Sequence, residues 1–300
     1  MTIEDQELYR ELLAQIKADW QSLPDKPEET PETTLKTLWF LAYGLPRAIG
    51  CQTLGELPLL SEAEESALRE YVSRRLEGIP LAHLTERQCF MELEFLASEA
   101  ALIPRRETEL LGYAALEKLY GLVEARGGVK VVDLCTGAGN LALALAHYEQ
   151  NCVVYGCDLS AEAVALAEAN AEYLQMMDMV QFLVGDLFAP LDAAGIGPVD
   201  LVTCNPPYIS SGNLEKMPEE ISAHEPQLAF DGGPFGVSLI MRLIKEAPEY
   251  LKPASWLCFE VGLGQGEAML RRIQNNANYQ TVESITNPAG AIRAILTQTR

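Results

Sequence analysis

Histidine is scarce in this 300-residue chain, and its cysteines follow no regular spacing. The three histidines (His83, His147 and His224) form no ligand-spaced set with Cys51, Cys89, Cys135, Cys152, Cys157, Cys204 and Cys258, and there is no Cys-x-x-Cys pair. A zinc site is therefore not expected. The odd, irregular cysteine set also argues against a disulfide framework, and small buried thiols in a reducing compartment are the expectation. No uninterrupted apolar run approaches the ~18 residues of a membrane span. The opening Met-Thr-Ile-Glu-Asp lacks the basic-then-apolar order of a signal peptide, so a cytoplasmic location without membrane association is expected.

Positive charge is also in short supply. Lys and Arg number 22 against 43 Asp and Glu, a net charge of −21. Nucleic-acid binding draws most of its affinity from cations placed against phosphates, so a direct nucleic-acid partner is not expected. The first 100 residues hold 19 acidic and 9 basic residues, and the remaining 200 hold 24 and 13, so the negative charge is denser at the start. A basic protein suits that surface better than DNA or an anionic membrane, and solubility alone is an equally good reason for it.

What is present is an ordinary globular composition, 48% hydrophobic and 22% charged, without repeats or low-complexity tracts. The length suggests two domains or one large one. Residues 1–87 read as helical. Apolar residues recur at helical spacing over Glu4–Trp20, Thr34–Tyr43 and Ser61–Leu76, with Ser61 and Glu64 as a capping box and Pro24–Pro31 as a loop. Cys89–Leu96 partly alternates, as a strand or hairpin does. Helix-like and strand-like stretches then take turns. The helices are 107–124, 141–148, 161–174, 237–251 and 266–275, and the strands 129–134, 152–157, 180–184, 199–204, 256–261 and 291–297. That alternation predicts an α/β fold, a mostly parallel sheet with helices on both faces and ligands at the carboxyl ends of its strands.

One strand runs into a turn of small residues, Asp133-Leu134-Cys135-Thr136-Gly137-Ala138-Gly139, and then a helix. Gly137 and Gly139 allow close backbone approach to a ligand, and Asp158, 21 residues after Gly137, suits the two hydroxyls of a ribose. The turn also fits the relaxed dinucleotide pattern G-x-G-x-x-A. Asp133 decides against that ligand, because a carboxylate beside the turn repels a pyrophosphate and favours a cation such as an amino-acid ammonium. S-adenosylmethionine has the ribose and the ammonium and no phosphate. Asp186 is a candidate acceptor for the adenine amino group, and Leu187 a candidate cover for its ring.

A second strand, Val199–Cys204, runs into Asn205-Pro206-Pro207-Tyr208. Two prolines stiffen the loop and remove two donors, leaving the Asn205 side-chain oxygen and the Pro206 carbonyl as outward acceptors. Such a pair can take both N–H bonds of a planar –NH₂ group lying against Tyr208, and can aim its nitrogen at a methyl donor. Catalysis is assigned to Asn205, Pro206 and Tyr208, and substrate binding to these three with Pro207. No strong general base is needed.

The chain resembles the HemK/PrmC family of protein-(glutamine-N5) methyltransferases from about Arg74 onward. Ile103-Pro104-Arg105-Arg106-Glu107-Thr108-Glu109 is similar to that family's Ile-Pro-Arg-Pro-x-Thr-Glu signature. Gly78–Leu84 with Phe90–Phe95 resembles its domain connection. Asn205–Tyr208, Glu225-Pro226, Asp231-Gly232-Gly233, Gly236, Glu260-Val261-Gly262, Gln265-Gly266, Gly290 and Arg293 follow in the family's order. The resemblance implies a Rossmann-like class I S-adenosylmethionine-dependent methyltransferase domain with a mostly parallel seven-stranded sheet. It implies the division 1–87, helical substrate recognition; 88–104, a β-hairpin connection; and 105–300, methyl transfer. It further implies a peptide-chain release factor as protein substrate, modified at the glutamine of Gly-Gly-Gln. A monomer is expected, although nothing in the sequence fixes the oligomeric state. Asp133, Cys135, Thr136, Gly137, Ala138, Gly139, Asp158, Asp186, Leu187 and Asn205 are the cofactor-binding set.

Cys135 stands where the family usually has Gly, Glu86 stands near a usual Gly, Arg106 replaces Pro, Asn287 replaces a frequent Asp, and Leu187 replaces an aromatic of some members. Amino-methyltransferases of adenine or cytosine use the same Asn-Pro-Pro-Tyr, and the acidic chain counts against that reading. A nicotinamide dehydrogenase would need Asp133 turned away from the ligand. A binding module without turnover would have no use for the intact Asn205–Tyr208. His224 and Glu225 read as structural, and Lys216, Glu219 and Glu220 as a mobile polar flap.

Overall fold

The computed structural model describes residues 7–20, 26–51 and 55–300. Helices α1 (Glu7–Ala18), α2 (Pro31–Ala42), α3 (Glu62–Leu76) and α4 (Leu81–Thr85) open the described chain. They share a core that includes Leu12, Ile16, Leu35, Leu38, Trp39 and Leu68. The Ser61–Glu64 capping box forms as expected. The expected first helix is present from Glu7, while residues 4–6 lie outside the described set. Of the loop expected over Pro24–Pro31, residues 24 and 25 lie outside the described set as well. That loop also ends early, because Pro31 begins α2. Thr30 and Thr33 satisfy each other's backbone N–H groups there, and proline's missing donor costs nothing at a first helical position.

Strands β1 (Arg87–Phe90) and β2 (Leu93–Leu96) pair as a hairpin. Its turn places Met91 and Glu92 at φ 47° and 64°. Glycine and asparagine usually fill such positions. Tertiary bonds hold them here: Met91 N donates to Glu109 Oε1 at 2.8 Å, and Tyr148 Oη donates to the Met91 carbonyl at 2.7 Å.

The remainder alternates: α5 (Thr108–Arg126), β3 (Val129–Leu134), α6 (Asn140–Tyr148), β4 (Cys152–Asp158), α7 (Ala161–Tyr173), β5 (Val180–Val184), α8 (Ala189–Ala193), β6 (Val199–Cys204), α9 (Glu219–Ser222), α10 (Ser238–Tyr250), β7 (Leu251–Glu260), α11 (Gly266–Gln274), β8 (Tyr279–Thr286) and β9 (Ile292–Thr299). The seven-stranded sheet has the order β5-β4-β3-β6-β7-β9-β8. All neighbouring pairs from β5 to β7 are parallel, and β9 is antiparallel to both its neighbours. Alternate strand residues feed two cores. Val131, Leu201 and Cys258 face α5, α6 and α7, whereas Val132, Val202, Leu257 and Phe259 face α10 and α11. The chain leaves β3 toward β4 on one side and returns to β6 on the other. This strand-order reversal opens a crevice at the carboxyl ends.

The structure corrects two sequence expectations. Strand β8 was missed because only Tyr279 at its start is buried, so it carries little hydrophobic pattern. The cysteine reading also fails in one place, since Cys51 and Cys89 form a disulfide with Cα atoms 5.4 Å apart. Their separation of 38 residues gave no hint of this, because proximity arises only when β1 packs beside the chain after α2. Of the five free cysteines, Cys152, Cys157, Cys204 and Cys258 are buried as expected, and Cys135 is half-buried.

Candidate active site

A cavity of about 1060 Å³, counting its open mouth, lies at the carboxyl ends of β3, β4, β5 and β6. Asp133, Cys135, Thr136, Gly137, Asp158, Asp186, Leu187, Asn205 and Pro207 all line it. Ala138 and Gly139 do not. Ala138 is buried, with its carbonyl accepting from Asn170 Nδ2. A Cβ at Gly139 would lie 2.9 Å from the Phe182 ring, so this glycine serves helix-to-sheet packing. At Gly137 a Cβ would meet nothing within 4 Å, and its φ of 55° is the feature that suits glycine.

Asp133, the penultimate residue of β3, lies on the cavity wall with 1% of its surface exposed. Thr136 Oγ1 donates to its Oδ2 at 2.6 Å and Thr203 Oγ1 to its Oδ1 at 2.7 Å. Burial pushes its carboxyl up to about 7 despite those hydroxyls, and Asp158 adds to the rise. Asp133 lines the cavity, with both carboxylate oxygens held by threonine hydroxyls. Asp158 ends β4 and ties the turns together, accepting from Gly137 N at 2.8 Å and Ser160 N at 3.0 Å. Asp186 is half-exposed and paired with Arg242 at 3.0 Å. Leu187 is buried at φ 46°.

The loop after β6 divides two spaces. Asn205 and Pro207 face the cavity, Pro206 is buried, and Tyr208 lines a neighbouring groove with Glu107, Phe235, Leu263 and Arg293. The downstream glycines explain themselves here. A Cβ on Gly232 would lie 2.7 Å from the Pro207 carbonyl, and one on Gly236 would strike the Tyr208 carbonyl. Gln265 Nε2 donates to that same carbonyl at 2.9 Å, and Ile209 N donates to the Phe230 carbonyl at 2.9 Å.

Pro104, Arg105 and Thr108 of the Ile103–Glu109 segment also line the cavity, and the segment is held by several side-chain bonds. Glu225 accepts from Ile103 N at 2.9 Å and pairs with Arg105. Glu107 pairs with Arg293 at 2.7 Å. Thr108 Oγ1 donates to Glu260 Oε2 at 2.8 Å and accepts from Asn205 Nδ2 at 3.1 Å. Glu260 also accepts from Tyr208 Oη at 3.0 Å and from Arg293 Nη2 at 3.3 Å. Burial raises the Glu260 carboxyl above its usual range, with Thr108, Arg293 and Tyr208 opposing the rise. Glu225 is buried and braces the Ile103–Arg105 backbone and side chain.

The polar flap is anchored. Glu220 of α9 lies 2.9 Å from Lys26 Nζ and 3.0 Å from Arg75 Nη1, and Arg75 also meets Glu29 at 3.1 Å. All four side chains are at least 86% buried, since none exceeds 14% exposure. Burial would raise the Glu220 carboxyl, but the two cations hold it below the usual carboxylate range, whereas burial wins at Glu29. The expectation of a mobile flap missed this because the cationic partners lie 194 and 145 residues away.

Sequence reasoning also missed Leu102, Leu159, Leu228 and Leu239, all on the cavity wall. Leu159, an exposed apolar residue directly after Asp158, was the one with a readable signal. The departures from the family pattern have local explanations. Cys135 and Glu86 adopt φ 55° and 54°, positions where glycine is unstrained. Asn287 Oδ1 caps the β8–β9 turn by accepting from Ala289 N and Ala291 N, which an aspartate oxygen would do equally.

Known proteins bear on this geometry. A family model described as methyltransferase small domain matches residues 116–235. A release factor glutamine methyltransferase of Moorella thermoacetica is 35% identical over 241 residues, covering 80% of this chain and 82% of that protein. One from Geobacter sulfurreducens is 37% identical over 238 residues, 79% of each. This chain belongs to the release factor glutamine methyltransferase family. Among solved structures, the hMettl16 catalytic domain in complex with MAT2A 3'UTR hairpin 6 has a TM-score of 0.53 at 15% identity, covering 76% of this chain and 81% of that one; the likeness is one of fold. The glutamine methyltransferase family therefore supplies the frame for the site, in which the cavity and the Asn205 loop adjoin. No described helix is long and apolar enough to cross a membrane.

Proposed function

We propose that the chain transfers the methyl group of S-adenosylmethionine to the side-chain amide nitrogen of a glutamine in a peptide-chain release factor, that of a Gly-Gly-Gln motif. The observation that carries the reading is that Asn205 and Pro207 share the wall of one cavity with Asp133 and Asp158.

The residues fit the methyl donor. Asp133 is a buried carboxylate on the cavity wall that two threonine hydroxyls hold and that no cation pairs among the described residues, so a ligand ammonium fits beside it. Asp158 reaches the cavity with each oxygen holding one backbone N–H and a second lone pair free for a ribose hydroxyl. The turn from Cys135 through Gly137 brings backbone close to the ligand, and Leu187 covers the adenine. Asp186 would share its carboxylate between Arg242 and the adenine amino group. When bound, S-adenosylmethionine supplies an electrophilic methyl group on its sulfonium.

Asn205 Oδ1 and the Pro206 carbonyl accept the two N–H bonds of the glutamine amide. Holding both hydrogens turns the nitrogen's lone pair toward the cavity and favours the partly pyramidal form that attack requires. Tyr208 lies against the amide plane. The extra proton leaves after transfer, so no buried base is called for. Residues 1–87 recruit the protein substrate, the hairpin segment 88–104 connects, and residues 105–300 perform transfer. We read the protein as a cytoplasmic monomer that acts on protein rather than nucleic acid.

Asn205→Ala should lower kcat by about 10²–10³-fold, with a smaller loss of cofactor affinity by calorimetry because Asp133 and Asp158 remain. Near-normal turnover in that variant would remove the mechanism.

A further inference from the structure

Asn205 has a side chain whose two ends look alike in shape and differ in function. Oδ1 accepts, and Nδ2 donates. Only the orientation with Oδ1 toward the substrate can receive an amide N–H. The reverse orientation would set two donors against each other. Within the site, one group settles which end faces inward. Thr108 Oγ1 carries a single proton, and that proton goes to Glu260 Oε2 at 2.8 Å. The hydroxyl then has only lone pairs left to offer, so the Asn205 atom beside it must be Nδ2, at 3.1 Å. A flipped amide would place Oδ1 against Oγ1 with no hydrogen between them. Oδ1 makes no hydrogen bond among the described residues, and both Asn205 and Thr108 line the cavity.

The anchor of this arrangement is buried and held from three sides. Glu260 has 2% of its surface exposed and Thr108 has 2%. Glu260 can steer the Thr108 proton because Tyr208 Oη and Arg293 Nη2 engage its other oxygen, and Glu107 holds Arg293. These partners come from α5, the Asn205–Tyr208 loop, β7 and β9, which lie far apart in sequence.

We propose that Thr108, polarised by Glu260, is a positioning residue for methyl transfer that fixes the direction of the Asn205 amide. The inference rests on the reading that Asn205 aims the substrate nitrogen. Thr108→Val keeps the shape and deletes the hydroxyl. It offers nothing to Nδ2, so the amide turns its donor toward the substrate. Expected is a fall in kcat of about tenfold or more, each tenfold being about 1.4 kcal/mol. Cofactor affinity should stay within threefold or so, because no cofactor contact is removed. Thr108→Ser restores the hydroxyl and should recover most of the lost rate. Glu260→Gln tests the same relay without touching Thr108. Its amide nitrogen can face Oγ1, which turns the Thr108 proton toward Asn205 and reverses the series.

The decisive comparison is the double variant. Two residues of one relay give overlapping losses, so Glu260→Gln with Thr108→Val should be about as slow as Thr108→Val alone. Overlapping losses, with rescue by serine, support the proposal. Additive losses, a valine variant as fast as wild type, or a loss confined to cofactor affinity would each overturn it. Asn205→Ala measured alongside separates the two levels. If that variant is inactive while Thr108→Val is active, the relay fails and the role of Asn205 stands. If Asn205→Ala is active, the underlying reading fails first.

Discussion

Cys135 departs from a glycine of the family and Glu86 lies near another, and both hold a left-handed backbone that suits glycine. At φ 55° and 54° an L-residue is strained, by roughly 1 kcal/mol. Glu86 is exposed at the end of α4, so little packing is lost by removing its side chain. Glu86→Gly should therefore raise stability by about 0.5–1 kcal/mol, read as a higher urea midpoint at unchanged slope. A lower midpoint would mean that the left-handed turn is not what that position demands. Asp133 makes a prediction in pH. Its carboxyl is pushed up to about 7, above the ordinary value, so the protein without ligand favours the neutral form. The resulting stability is fully present below the unfolded pKa of about 4 and fades as pH rises through 7. A cationic ligand needs the ionised form. Affinity for S-adenosylmethionine should weaken as pH falls below about 7, toward tenfold per unit, while methylthioadenosine, which lacks the ammonium, shows no such slope. An affinity independent of pH would detach Asp133 from the ammonium. These residues were readable as chemistry, since an Asp beside a glycine turn is visible in one dimension. Their titration was not, because it depends on Thr203 and on burial.

At the level of elements, period and caps predicted most helices and the central strands, where buried faces repeat. They failed where tertiary contacts replace local signals. The Met91–Glu92 turn is held by Glu109 and Tyr148, and edge strand β8 has almost no buried face. The short helix α9 is the clearest case. Its four residues lack the length to be stable alone, and Glu220 secures them to α3 through Arg75. Glu220→Gln leaves Lys26 and Arg75 buried with Glu29 as the remaining anion. Breaking a buried pair costs about 3–5 kcal/mol, which α9 can relieve by undocking. Amide hydrogen exchange should then accelerate over residues 209–236, with protection of β3, β4 and β6 unchanged. Exchange identical to wild type would show that the ion cluster does not hold the segment.

Over the whole molecule, the site is assembled from segments that sequence proximity does not join. Thr108 meets Glu260 across 152 residues and Asn205 across 97. The motifs were readable as an ordered series, and that order indicated the fold class and the chemistry. What joined them was not readable, since no spacing rule reports that Glu225 braces Arg105 or that Cys51 reaches Cys89. The central claim is that this assembly methylates a glutamine amide of a release factor. Its most direct test is methyl transfer from labelled S-adenosylmethionine to a purified release factor, to the same protein with Gly-Gly-Gln changed to Gly-Gly-Ala, and to an adenine-rich oligonucleotide. The account predicts label on the first acceptor alone, located by peptide mass spectrometry on the glutamine side chain. Equal label on the alanine variant, label on the oligonucleotide, or no label on any acceptor while the cofactor is bound would contradict it.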